Sequence, residues 1–201
     1  EYAPGISSRR LPRRDKRGGL KMSYNEIVIA GFGGQGVMSI GTTMAEAAMS
    51  EGLNVSWLPS YGPEMRGGTA NCNVVISDGE IISPIVLEPS ELIAMNLPSL
   101  DKFESAVKPG GLILVNESII ERKVERNDVR AVYVPSQEIA AELGNLRVAN
   151  MVMLGAFIEA TKLLKFETVV DMLRNIFTGK KANLVEINEV ALQRGADCVN
   201  V

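Results

Sequence analysis

Apolar residues along this chain change period from about two to about 3.6 and back, and that alternation outlines the elements. Glu26 to Gly31 holds Ile27-Val28-Ile29-Ala30, a β-branched run ending in glycine, which predicts a buried first strand. Gln35 to Ser50, rich in Ala and Met, predicts a helix stopped at Gly52-Leu53-Asn54. Val55 to Leu58 reads as a second strand, parallel to the first because a helix intervenes. Thr69 to Ser77 alternates as a strand should. Asp78-Gly79 then signals a hairpin into Glu80 to Ser83, so an antiparallel hairpin is expected inside an otherwise parallel sheet. Leu92 to Met95, Leu112 to Val115 and Ala131 to Val134 add short strands, with a helix over Ser99 to Val107. Beyond Ser136, read as the cap of a short helix, the pattern is helical: Val148–Leu164, Phe166–Phe177 and Ala182–Gly195. Strands alternating with helices and then a run of helices predict a three-layer α/β sandwich with a mostly parallel sheet and a helical C-terminal layer.

Length and composition add limits. At 201 residues, 46% hydrophobic and 22% charged, the chain suits one globular domain. Met151 to Leu164, the longest apolar stretch, is shorter than the roughly 20 residues a membrane span needs, and a cytoplasmic protein is expected. The arm from Arg9 to Lys21 is basic whereas the whole chain carries −3. Residues 1–22 are therefore set aside as a disordered leader or non-native extension ahead of Met22, and residues 23–201 are taken as the domain. An acidic body gives no reason to expect a nucleic-acid partner.

With no histidine, the chain cannot build a Ser-His-Asp triad or an imidazole base. Cys72 and Cys198, its only cysteines, cannot form a four-thiolate zinc or iron–sulfur site. No catalytic residue and no metal ligand are assigned.

Two constellations stand out. Gly31-Phe32-Gly33-Gly34-Gln35-Gly36 places G-x-G-x-x-G between a strand and a helix, the setting of a Rossmann-like anion site. The same glycines also serve tight turning and close helix–sheet packing. Dinucleotide binding further requires an acid at the end of the second strand. Pro59-Ser60-Tyr61 stands there instead, and Glu64 fits poorly. The loop from Ser60 through Arg66 to Thr69 offers a guanidinium fork for a carboxylate or phosphate, with Gly67 and Gly68 permitting close backbone approach. Taken alone it is equally readable as a surface loop. Trp57 is expected in the core, Cys72 as a small buried apolar group, and Asn150 as a helix cap rather than a group facing the site.

With Tyr61-Gly62-Pro63-Glu64-Met65-Arg66-Gly67-Gly68 and Lys108-Pro109-Gly110-Gly111, the glycine turn resembles the gamma subunit of 2-oxoacid:ferredoxin oxidoreductases over about residues 25–195. The loop, followed by Ala70-Asn71-Cys72, is most similar to the 2-oxoglutarate or branched-chain members. The resemblance implies a complex in which partner subunits carry thiamine diphosphate, Mg and iron–sulfur clusters. Those partners are alpha, beta and a ferredoxin-like delta subunit, with ferredoxin as electron acceptor and coenzyme A as acyl acceptor. On that footing Gly31, Gly33, Gly34, Gln35, Gly36, Ser60, Tyr61, Arg66 and Gly67 are expected to face the alpha and beta partners and to help form the coenzyme A entry or the wall of the thiamine pocket. Two other readings stay open: a stand-alone nucleotide-binding oxidoreductase, and a purely structural interaction module.

Overall fold

The computed structural model describes residues 23–61, 69–177 and 183–199. A six-stranded sheet runs through the middle, in the order β2-β3-β1-β4-β5-β6. Its strands are β1 (Tyr24–Phe32), β2 (Asn54–Tyr61), β3 (Thr69–Ser77), β4 (Glu91–Ala94), β5 (Leu112–Asn116) and β6 (Arg130–Val134). Helices α1 (Val37–Ser50), α2 (Leu97–Phe103), α3 (Ser136–Glu142), α4 (Ala149–Thr161), α5 (Phe166–Ile176) and α6 (Asn183–Asp197) complete the layers.

Strand alternation decides which side chains meet which layer. Ile27 and Ile29 of β1 join the larger core beneath α1, α3, α4, α5 and α6. Val28 and Ala30, one residue out of phase, join a smaller core with Leu92, Ile113 and Leu100 of α2. The expected three-layer α/β sandwich is what forms.

The antiparallel feature differs in position from the expectation. β3 runs antiparallel to both β1 and β2 and lies between them, pairing Phe32 with Thr69 and Tyr61 with Ala70. β2 thus has the same direction as β1, as expected, but is not its neighbour. Glu80 to Ser83 forms no strand: Asp78 accepts at Oδ1 from the Ser23 N–H at 3.0 Å, and Ser77 Oγ accepts from the Gly79 N–H at 2.9 Å. Those bonds turn the chain out of the sheet after β3. The real hairpin is β2–β3.

Ser136 does not cap α3. Pro135 holds that position, and the Ser136 hydroxyl donates instead to Asn116 Oδ1 at 2.8 Å. Glu51 gives its carboxylate to the start of α5, where Oε1 accepts from the Lys165 N–H at 2.7 Å, a favourable place for negative charge. Glu104, almost buried, gathers the loop after β5 by accepting from Arg122 Nη2 at 2.8 Å and from the Glu125 N–H at 2.6 Å.

α4 is buried on every side from Ala149 to Ile158, which is why its sequence shows little amphipathic contrast. It crosses α6 at two reciprocal glycines. A Cβ on Gly155 would lie 1.9 Å from the Leu192 carbonyl oxygen, and one on Gly195 would lie 1.9 Å from that of Val152. Gly155→Ala should therefore force the two helices apart and destabilise the chain by about 1–3 kcal/mol, read as a lower urea midpoint; an unchanged midpoint would mean the crossing is looser than this.

Candidate functional site

The strand order puts the topological switch point between β1 and β4, whose neighbours are reached by connections leaving in opposite directions. In open α/β sheets the crevice at the carboxyl ends of such strands is where ligands bind. Here the glycine turn fills that rim, and a chain of buried and partly buried amides holds it in place.

Gln35 is the centre of that chain. Its Oε1 accepts from the Phe32 N–H at 2.6 Å and from Asn96 Nδ2 at 3.2 Å, while its Nε2 donates to the Met95 carbonyl at 3.1 Å. One side chain thereby ties the end of β1 to the end of β4. Asn96 also caps α2, accepting at Oδ1 from the Ser99 N–H at 2.9 Å. Asn116 donates to the same Met95 carbonyl at 3.3 Å and accepts from Ser136. The sequence marked Gln35 as a ligand-facing residue, whereas its amide is consumed in shaping the turn. Asn96, Asn116 and Ser136 went unnoticed as rim residues, because only the folded sheet brings the ends of β1, β4 and β5 side by side.

The glycines have separate duties. Gly31 is buried, and a Cβ there would come within 2.8 Å of both Gln35 Oε1 and Met95 Cβ. Gly34 has φ 98° and is exposed, with no atom within 4 Å of where a Cβ would stand. Gly36 has φ 77° and precedes α1. A Cβ on Gly36 would meet Asn150, whose Nδ2 is 2.6 Å away and whose Cγ is 2.8 Å away. Asn150 thus lies inside the first turn of α4 and against the glycine turn; the structure assigns it no capping bond, contrary to the expectation. Gly33 sits half-buried at the bend. No side chain caps α1 and no acid occupies its first turn, so its leading N–H groups remain available to an anion.

Ser60 is exposed at the end of β2, and the backbone of Tyr61 closes that strand opposite Ala70. Since β3 stands between β2 and β1, these ends lie about 10 Å along the rim from Phe32. Arg66 and Gly67 lie outside the described residues, though both ends of their loop, Tyr61 and Thr69, reach the glycine-turn rim. Trp57 is half-buried and packs on the larger core, as expected. Cys72 is fully buried; burial pushes its thiol up to about 11, against a smaller opposing pull from Trp57, and burial likewise raises Cys198. Neither is a thiolate at neutral pH. Among the described residues no group of three or more Cys, Asp or Glu side chains is placed to hold a metal ion, and no helix is long and apolar enough to cross a membrane.

The Lys108–Gly111 turn lies at the opposite, amino rim. It borders a cavity of about 360 Å³ with Asn25, Glu91 and Arg130. Lys108 pairs with Glu26, and Glu91 accepts from Asn25 Nδ2 at 2.8 Å and from Ser90 Oγ at 2.6 Å. Burial, the largest influence, still raises the Glu91 carboxyl above its usual range despite those bonds. Because the folded chain holds this proton more tightly than the unfolded one, Glu91 favours the fold at low pH. That contribution is lost as pH rises from the ordinary carboxylate range through the raised value. Urea midpoints across that window should fall more for the native chain than for Glu91→Gln; parallel curves would show that Glu91 does not titrate with folding.

Residues 26–198 match the model of the family described as pyruvate ferredoxin/flavodoxin oxidoreductase. The ketoisovalerate oxidoreductase subunit VorA of Methanothermobacter marburgensis is 46% identical over 172 residues, 85% of this chain but 36% of that protein. The chain therefore spans about a third of the length of the first curated relatives it matches. The keto/oxoacid ferredoxin oxidoreductase gamma subunit of Geobacter sulfurreducens superposes with a TM-score of 0.75 at 30% identity, covering 88% of this chain and 98% of that one. A 2-oxoglutarate:ferredoxin oxidoreductase from Magnetococcus marinus, bound to 2-oxoglutarate, coenzyme A and succinyl-CoA, gives 0.82 at 25% identity over 88% of this chain and 31% of that one. This chain belongs to the pyruvate ferredoxin/flavodoxin oxidoreductase family.

Proposed function

We propose that this family member is the gamma component of a thiamine-diphosphate-dependent 2-oxoacid:ferredoxin oxidoreductase. The complex would oxidatively decarboxylate a 2-oxoacid of the 2-oxoglutarate or branched-chain class, pass the acyl group to coenzyme A and reduce ferredoxin in the cytoplasm. The observation that carries the reading is the uncapped N-terminus of α1 behind the exposed Gly34, set at the sheet's switch point. Backbone N–H groups there would meet a phosphate of coenzyme A, an anion suited to a helix N-terminus. Arg66, on the loop that leaves and returns to the same rim, would pair with a carboxylate or a second phosphate.

The described residues do not suit thiamine diphosphate with Mg, since no ligand cluster for the metal is present among them. Decarboxylation and electron transfer are therefore assigned to alpha, beta and delta partners, and this chain to one wall of the cleft. Exposed Ile82, Ile85 and Leu87, in the segment after β3, are apolar surface of the kind that partner subunits cover. A stand-alone nucleotide enzyme is disfavoured by the sheet itself. The strand beside β1 on that flank is antiparallel β3, so no neighbouring parallel strand presents an acid to a ribose.

Capture of the native chain from its source extract should bring brown, cluster-bearing partners and reduction of a viologen dye that needs both a 2-oxoacid and coenzyme A. A lone colourless protein would overturn the proposal. In the assembled enzyme Arg66→Ala should raise KM for coenzyme A; unchanged turnover and KM would reduce the loop to scaffolding.

A further inference from the structure

Most side-chain amides around the glycine turn and in the helical layer are spoken for. Gln35, Asn96 and Asn116 each give and accept hydrogen bonds, and the Asn188 amide in α6 donates to the Leu184 carbonyl at 2.6 Å. Asn150 is 8% exposed and forms no hydrogen bond with another described residue, and what remains of its surface is open to solvent. A polar side chain that is mostly buried, uncommitted within the protein and still reachable from solvent is free to pair with a ligand that binds from outside.

Its position says which partner. Of the Asn150 atoms against Gly36, Nδ2 is the nearest, 2.6 Å from where a Cβ would sit. Gly36 is the residue from which the free N–H groups of α1 begin, and α1 is 14 residues long. The donor end of an unpaired amide and the positive end of a helix therefore converge on one point, which suits an anion and repels a cation.

We propose that Asn150 is a specificity-determining residue of this site: its side-chain amide donates to the same phosphate that the N-terminus of α1 holds. The proposal rests on the reading that the ligand is coenzyme A. Gly36 follows from the same geometry. It lacks a side chain because the amide needs that space, and its positive φ is a conformation glycine adopts without strain.

The test uses the assembled oxidoreductase, with Kd for coenzyme A from calorimetry and KM values for coenzyme A and the 2-oxoacid. Asn150→Asp keeps the shape and replaces the donor with negative charge; it should weaken coenzyme A by at least about tenfold in both Kd and KM. Asn150→Ala should act in the same direction by less. KM for the 2-oxoacid should stay within about twofold of the native value. Unchanged Kd for coenzyme A in both variants would overturn the assignment, as would an equal rise in KM for the 2-oxoacid, which marks a packing role. If the native assembly itself neither binds nor requires coenzyme A, it is the underlying function that fails.

Discussion

One side chain sets the geometry of the rim. Gln35 receives the Phe32 N–H, donates to the Met95 carbonyl and receives the Asn96 amide, closing the gap that opens between β1 and β4 where the chain leaves in two directions. Without it the last N–H of β1 would lose its side-chain acceptor at a partly buried edge, and the carbonyl after β4 would keep only its bond from Asn116. The clasp also explains Gly31: the amide occupies the volume a side chain would need. With the turn pinned from below, Gly34 is left exposed on top and the N-terminus of α1 remains uncovered.

β3 gives this sheet its particular use. Its insertion between β1 and β2 moves the end of β2 one strand further along the rim, with Thr69 of β3 beside Phe32 and Tyr61 one strand beyond. No parallel strand stands beside β1 on that flank to close a dinucleotide pocket.

The helical layer keeps this edge rigid. α4 is buried all round, its crossing with α6 is fixed by Gly155 and Gly195, and its first turn carries Asn150 to Gly36. A packed helix aims a side chain more reproducibly than a loop, because its own rotamer is set by the surrounding core. The same packing that stabilises the fold therefore positions the Asn150 amide.

Much of this was legible along the chain. Alternation located β3, whose limits fall at Thr69 and Ser77 as expected, and short apolar runs located β1, β2, β4, β5 and β6. The glycine turn declared itself by its place between a strand and a helix, and the loop motif carried the family. Which strand neighbours which was not legible. Asp78-Gly79 is a local hairpin signal, but pairing is decided by which apolar faces can share a core, and that favoured β2–β3. Nor could spacing assign the amides. A residue at 96, 116 or 150 in the chain has no fixed distance to residue 35 until the sheet closes. The sequence alone determined where backbone can turn; only the tertiary structure decided which polar groups meet there, because hydrogen-bond partners across strands depend on register and not on order.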